Sequence, residues 1–169
     1  MLETKVKENM CVGAEKMSMP DIIMTIGISG CGKSTWTKTM EGSGYTVVCP
    51  DDIRREVTGS ISDQSQNDKV FGIVDQRIQN ILKNGGKVIH DATNLNTRFR
   101  RDFLKKYGNY RIACKIFHSN PEMSKERVRK DIANNVDRSN VPDNVIDRQY
   151  RMYLQTLEDV KSEPFCDFL

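Results

Sequence analysis

No stretch of this sequence stays apolar for more than a few residues; Val47–Cys49 is typical. A bilayer span needs about 20 consecutive apolar residues, so no membrane-crossing helix is encoded. The N-terminus is polar and charged and lacks the apolar core of a secretory signal. A cytoplasmic protein, in the cell or in a phage-infected host, with no membrane partner is therefore expected. Cysteine is scarce: Cys11, Cys31, Cys49, Cys114 and Cys166 make an odd count of five without a C-x-x-C pair. The two histidines, His90 and His118, stand far from any cysteine pair. No disulfide framework or zinc site can be read from these spacings, and reduced thiols are expected. An excess of one charge is missing too, since 26 Lys and Arg against 23 Asp and Glu leave +3. That balance permits nucleic acid as a partner without arguing for it, because strong nucleic-acid binders are usually more basic. What remains, 169 residues with 37% hydrophobic and 29% charged, suffices for the core of one domain and speaks against a disordered chain.

Residues 1–20 are mixed and polar and read as a flexible arm. From Asp21 the pattern sharpens. Ile22–Ile26 is a β-rich run ending at Gly27, and after a glycine loop Lys33–Glu41 reads as a helix. Tyr45–Cys49 is a second strand, and Pro50-Asp51-Asp52 opens a short helix with residues suited to its first turn. A polar loop over 58–66 leads to Asn67–Lys83, whose apolar residues fit one helix face, closed by Gly85 and Gly86. Then come a short strand, Lys87–His90, a helix, Thr97–Tyr107, stopped by Gly108, and a strand, Tyr110–Phe117. Helices over Pro121–Ile132 and Val141–Val160 follow, with Phe165–Leu169 a candidate last edge strand. Strands alternating with helices imply an α/β fold with a mostly parallel sheet covered by helices, occupying residues 21–169. Ligands on such sheets bind at the carboxyl ends of the strands, where Gly27–Ser34, Asp51 and Asp91 fall.

Gly27-Ile28-Ser29-Gly30-Cys31-Gly32-Lys33-Ser34 matches the phosphate-loop pattern G-x-x-x-x-G-K-S/T in full. Its glycines let backbone N–H groups turn toward phosphate oxygens; the Lys33 ammonium reaches the β- and γ-phosphates, and the Ser34 hydroxyl binds Mg²⁺. Asp51 follows the second strand, where a carboxylate can orient an acceptor hydroxyl and take its proton, although an acid before a helix also caps it. Asp52 fits the capping role better. Asp91 ends the apolar run Val88-Ile89-His90, as Walker-B acids that hold a Mg²⁺-bound water do. His90 fits a hydrogen-bonded strand residue. Arg54 and Arg55 lie one turn past Asp51, where an arginine can grip a phosphate bidentately. The basic stretch Arg127, Arg129, Lys130 to Arg138 precedes Val141-Pro142 and suggests a lid around 131–141 that brings an arginine over a transferring phosphoryl group. The third basic run, Arg98, Arg100, Arg101, Lys105 and Lys106, reads as a solvated helix face.

Together these pieces resemble the phage-type polynucleotide 5′-hydroxyl kinases of the P-loop kinase superfamily. The matching segments are Ile26–Trp36, Asp51-Asp52-Ile53-Arg54, Asp91-Ala92-Thr93-Asn94-Leu95-Asn96 and Val141-Pro142 with its helix. The resemblance implies a three-layer, adenylate-kinase-like fold. It also implies ATP and Mg²⁺ as cofactors and the 5′-hydroxyl ends of DNA or RNA as substrate. Gly27, Ser29, Gly30, Cys31, Gly32, Lys33, Ser34 and Thr35 would bind the nucleotide. Asp51 would be the general base, and Arg54 would hold the acceptor's phosphate. Arg138 would be the lid arginine, with Arg127 and Arg129 as the other candidates. Asp91, Thr93 and Asn94 would line the site. The lid segment Asp131–Asn140 departs from the arginine-rich family pattern, and no D-x-D-G-T phosphatase motif is present, so kinase activity alone is expected. No obligate protein partner is evident. A P-loop kinase for another hydroxyl, on a modified DNA base or a small metabolite, would share every donor-side residue. A nucleotide-binding module without transfer would not need Asp51.

Overall fold

A computed structural model describes residues 19–169. Cys11 and nearly all of the arm expected over 1–20 lie outside the described residues. Five strands form one sheet there: β1 (Ile22–Ile26), β2 (Tyr45–Val48), β3 (Lys87–His90), β4 (Ile112–Ile116) and β5 (Asp167–Phe168), in the order β2-β3-β1-β4-β5. Every pairing is parallel, so the sheet is wholly rather than mostly parallel. The helices are α1 (Lys33–Thr39), α2 (Pro50–Thr58), α3 (Asn67–Lys83), α4 (Thr97–Lys106), α5 (Pro121–Ala133) and α6 (Asp143–Asp159). None of the described helices is long and apolar enough to cross a membrane.

β1 is buried along its whole length, as a central parallel strand covered on both faces must be, and this explains its unbroken apolar run. On one face Ile22, Met24 and Ile26 pack with Val70, Val74 and Ile78 of α3, Phe103 and Leu104 of α4 and Ile146 of α6. On the other, Ile23, Ile89 and Tyr45 meet Trp36 and Met40, contributed by α1 and the turn after it. The result is the expected three-layer α/β arrangement. Register sets the site: Met24 pairs with His90 and Val48 pairs with His90, so the chain leaves β1, β2 and β3 at one edge of the sheet.

Several expected ends move inward for local reasons. α1 stops at Thr39 instead of Glu41 because left-handed Gly42 and Gly44, with φ of 80° and 89°, turn the chain into β2. β4 begins at Ile112 instead of Tyr110, whose N–H closes a turn onto the Tyr107 carbonyl at 2.9 Å. α6 begins at Asp143, since Pro142 is extended at ψ 151°. The edge strand expected over Phe165–Leu169 is reduced to the two residues of β5. α4 is capped as its sequence suggests, the Asn96 side chain accepting from the Phe99 N–H at 2.9 Å.

The larger correction concerns Arg100, expected on a solvated face but wholly buried. It shares the inner stripe of α4 with Phe103, Leu104 and Tyr107. Its guanidinium donates to Glu163 at 2.9 Å, to the Asn94 carbonyl at 2.9 Å and to Thr156 at 3.1 Å. A buried charge so placed is tolerable only while every partner is kept, and removing one member costs about 3–5 kcal/mol. Arg100→Met therefore lowers stability by about that amount in denaturant titration. Arg101→Met, on the exposed side of the same helix, stays within about 0.5 kcal/mol of wild type.

Candidate active site

The loop between β1 and α1 turns twice through left-handed glycines, Gly30 at φ 80° and Gly32 at φ 103°. A side chain at Gly30 would also strike the Ser124 carbonyl at 2.9 Å, so α5 closes on the loop there. Lys33 is buried, and its ammonium donates to the Gly27 carbonyl at 3.0 Å and the Ile28 carbonyl at 2.7 Å. The amine thus lies across the loop it opens from, ready to trade two carbonyls for phosphate oxygens. Ser34 and Thr35 are exposed in the first turn of α1.

Three residues that motif reasoning missed hold this loop. The Ile28 N–H donates to the Ser119 hydroxyl at 3.3 Å, and the Ser29 N–H to the Gln149 side-chain carbonyl at 2.8 Å. Behind the loop, Thr25 donates to the Ala92 carbonyl at 2.8 Å. Ser119 and Gln149 belong to no motif and lie far away in sequence. Thr25 carried a signal, as the one polar residue in an otherwise apolar strand.

Asp91 stands at the end of β3 as expected. Its carboxylate accepts from Thr37 at 3.3 Å and lies 3.5 Å from the Ser34 hydroxyl, a set of oxygens suited to a hard divalent cation. Burial pushes the Asp91 carboxyl above its ordinary pKa, and the nearby negative charges of Asp51 and Asp52 push the same way; Lys33 and the Thr37 bond act against them. A cation between Ser34 and Asp91 would relieve that strain on the charge. Asp51 is half-exposed at the start of α2 and is gripped by Arg54. Arg54 is itself buried, with further bonds to the Asn67 side chain at 3.3 Å and the Ile61 carbonyl at 3.5 Å. It therefore acts first on Asp51, fixing the carboxylate, instead of reaching freely outward.

The structure separates the residues expected between β3 and α4. Thr93 contributes its carbonyl, which accepts from the Gly27 N–H at 3.1 Å. Asn94 is buried at φ 49° and spends its amide on the Thr25 carbonyl at 2.7 Å, so it ties strands together behind the loop. The basic segment also divides. Arg127 donates to the Gly30 carbonyl at 3.2 Å and borders a small pocket with Cys31, His118 and Asn120. Arg138 is bonded to Asp131, and Arg129 to Asp143. The loop after α5 reaches α2 through Asp137, which pairs with Arg55 at 2.8 Å. The expectation for His90 fails: neither ring nitrogen has a partner, and the imidazole stacks on Phe103 at 5.3 Å.

These features define a P-loop nucleotide-binding domain of the kinase fold. The profile of the AAA domain family matches residues 22–155, and the chain belongs to that family. No curated protein matches the chain. Among solved structures, a chain of the Pnkp1/Rnl/Hen1 RNA repair complex is similar at 24% identity and a TM-score of 0.72, over 86% of this chain and 48% of that one. A chain of a second Pnkp1/Rnl/Hen1 complex is similar at 29% identity and 0.59, over 64% and 38%. A gluconokinase from Sinorhizobium meliloti 1021 is similar at 18% identity and 0.53, over 79% and 74%. This chain thus spans about half or less of the first two chains' own length.

Burial lowers the His90 pKa from 6.5 to about 4. Between those values the unfolded chain binds a proton that the folded chain refuses, so stability falls as pH drops through that window and is whole above it. The loss amounts to about 3 kcal/mol. Asp91, whose pKa is raised, acts with the opposite sign in acid. The difference between wild type and His90→Phe in urea titrations at pH 7, 5.5 and 4.5 isolates the histidine: the variant's profile is flatter by up to that amount.

Proposed function

We propose that this protein is an ATP-dependent kinase that transfers the γ-phosphoryl group to the 5′-hydroxyl end of DNA or RNA. The observation that carries the reading is the pairing of Asp51 with Arg54, half-exposed where the chain leaves β2, at the same sheet edge as Lys33 and Asp91. A module that only held nucleotide would have no use for a fixed carboxylate there. The fold-level similarity to a chain of an RNA repair complex supports a nucleic-acid acceptor. Similarity to a gluconokinase makes a small polyol the acceptor to test against it.

In this reading the loop from Gly27 to Thr35 cradles the ATP phosphates, and Lys33 exchanges the Gly27 and Ile28 carbonyls for β- and γ-oxygens. Ser34 and Asp91 would hold Mg²⁺, which would neutralise charge on the phosphates. Asp51 accepts the proton of the acceptor hydroxyl as its oxygen bonds to the γ-phosphorus. The bond from that phosphorus to the bridging oxygen breaks, and ADP leaves. Arg54 fixes the Asp51 carboxylate, and it would bind the acceptor's phosphate by giving up one of its present partners. The segment 131–141 acts as the lid over the domain formed by 21–169. Arg127, already on the Gly30 carbonyl, is the arginine best placed for the donor nucleotide. Arg138 reaches the phosphates only after leaving Asp131.

An acceptor panel with ATP labelled at the γ-phosphate tests the function: 5′-hydroxyl oligonucleotides of DNA and RNA, duplex carrying hydroxymethylated bases, and gluconate. Label on oligonucleotide ends is expected, and label only on another acceptor overturns the reading. Asp51→Asn keeps ATP affinity and melting temperature but loses about 10²–10⁴-fold in kcat, since Asn caps a helix as Asp does but cannot take the proton. Near-normal turnover of Asp51→Asn, or a larger loss in Asp52→Asn, removes Asp51 as base. Arg127→Ala weakens ATP binding by about tenfold or more, the worth of a charge-assisted bond, whereas Arg138→Ala leaves ATP Kd within about threefold. The reverse order in equilibrium titration would make Arg138 the donor-side arginine.

A further inference from the structure

Three consecutive N–H groups of the phosphate loop are already held by other parts of the chain. Gly27 donates to the Thr93 carbonyl at 3.1 Å, Ile28 to the Ser119 hydroxyl at 3.3 Å and Ser29 to the Gln149 side-chain carbonyl at 2.8 Å. The first two acceptors lie in the segments that follow β3 and β4, so they come from the sheet's own framework. The third is different. It comes from α6, on the far side of the lid segment in sequence, and its bond is the shortest of the three.

Packing alone does not explain a glutamine at position 149. It stands one turn after Ile146 and one turn before Tyr153, both buried, so it falls on the inner stripe of α6. An amide on such a stripe loses hydration and returns nothing unless it is hydrogen-bonded, whereas Leu or Met would pack there without that cost. The bond it makes is to the loop. On the other side of the same turn, Arg127 of α5 donates to the Gly30 carbonyl at 3.2 Å. The Ser124 carbonyl of α5 also stands 2.9 Å from where a Cβ on Gly30 would sit. α5 and α6 are themselves joined by Lys125 and Asp147, 2.7 Å apart. The two helices that border the lid segment therefore grip neighbouring residues, Ser29 and Gly30, where the loop takes its first left-handed step at φ 80°.

We propose that Gln149 is a positioning residue for the donor nucleotide. Its side-chain carbonyl fixes the Ser29 peptide, and with it the turn at Gly30, in the conformation that leaves the rest of the loop to face phosphate. Without that acceptor the Ser29 peptide is free to rotate, and only part of the population keeps a loop fit to bind. The apparent dissociation constant rises in proportion. The inference rests on the reading of this loop as the ATP site, is independent of which acceptor is phosphorylated, and adds to the donor side a residue outside the phosphate-loop motif.

Two substitutions and two readouts test it. Gln149→Met keeps the length of the side chain and removes the acceptor, whereas Gln149→Glu keeps an acceptor for the Ser29 N–H. In amide hydrogen exchange on the nucleotide-free protein, Ser29 of Gln149→Met exchanges about tenfold faster than in wild type, while Gln149→Glu stays protected. Gly27 and Ile28, held by other partners, do not change and serve as internal controls. In equilibrium titration Gln149→Met binds MgATP about tenfold more weakly, with an unchanged melting temperature. A packing role predicts otherwise: Met fills the stripe at least as well as Gln, so neither exchange nor Kd moves. That result overturns the proposal, as does a change in only one of the two readouts or a lowered melting temperature in Gln149→Met. Fast Ser29 exchange in Gln149→Glu overturns it too, since the acceptor atom would then not be what protects the amide. If wild type binds no MgATP, the reading of the loop and the role of Gln149 fall together. If wild type binds MgATP and Gln149→Met binds it equally, the positioning role alone falls.

Discussion

The end of β1 is pinned to the segment after β3 by buried hydrogen bonds, and the phosphate loop hangs from that pin. Thr25 and Asn94 form its two halves: the Thr25 hydroxyl bonds the Ala92 carbonyl, and the Asn94 amide bonds the Thr25 carbonyl. The Gly27 N–H then reaches the Thr93 carbonyl, so the first residue of the loop is fixed before the glycines turn. Asn94 can do this only at φ 49°, a left-handed conformation that asparagine tolerates better than most residues. Its own carbonyl is held by buried Arg100, which carries the constraint to Glu163 beyond α6. A chain of about 140 residues is thus closed around one strand end, although the buried Asn94 side-chain oxygen has no partner among the described residues.

That arrangement sets the electrostatics. Asp91, Asp51 and Asp52 lie close enough to raise the Asp91 pKa together with burial, and Lys33 is the opposing cation. The excess of negative charge is stable only because Asp51 and Asp52 are exposed to water and Arg54 and Arg55 lie beside them. A divalent cation with a polyphosphate would rebalance this set, since the metal answers Asp91 and the phosphates answer Lys33. The loop's carbonyls, which occupy Lys33, are weaker partners for an ammonium than phosphate oxygens would be.

The contiguous parts of this design were legible in the sequence. The phosphate loop needs its glycines, lysine and serine at fixed spacing, so one segment spells out its chemistry, and β1 before it and α1 after it followed from hydrophobicity and turn residues. α3 was legible to the residue because four buried residues at helical spacing precede a left-handed glycine. Arg100 was misread because its neighbours in sequence are solvated cations. The helical period joining it to Phe103, Leu104 and Tyr107 already placed it on the apolar stripe. Ser119 and Gln149 were illegible for another reason: each presents one ordinary polar atom to the loop across 91 and 120 residues of sequence, and only tertiary folding makes that meeting. His90 could not be judged from β3, because whether an imidazole finds a partner depends on what α4 brings over it.

The arginines around the cleft show why the acceptor side is harder to read than the donor side. Arg54, Arg55, Arg129 and Arg138 each already face an aspartate: Asp51, Asp137, Asp143 and Asp131. None is a bare cation awaiting phosphate, and an arginine count along the lid says little about affinity. Binding a phosphate there exchanges one anionic partner for another, which nearly cancels in Coulomb energy and leaves geometry to decide. The exchange also frees a carboxylate. At Arg55 the partner is Asp137, and that pair joins the loop after α5 to α2. The information sits in pairs of residues distant in sequence, each unremarkable alone, and becomes chemistry only where the fold sets them face to face.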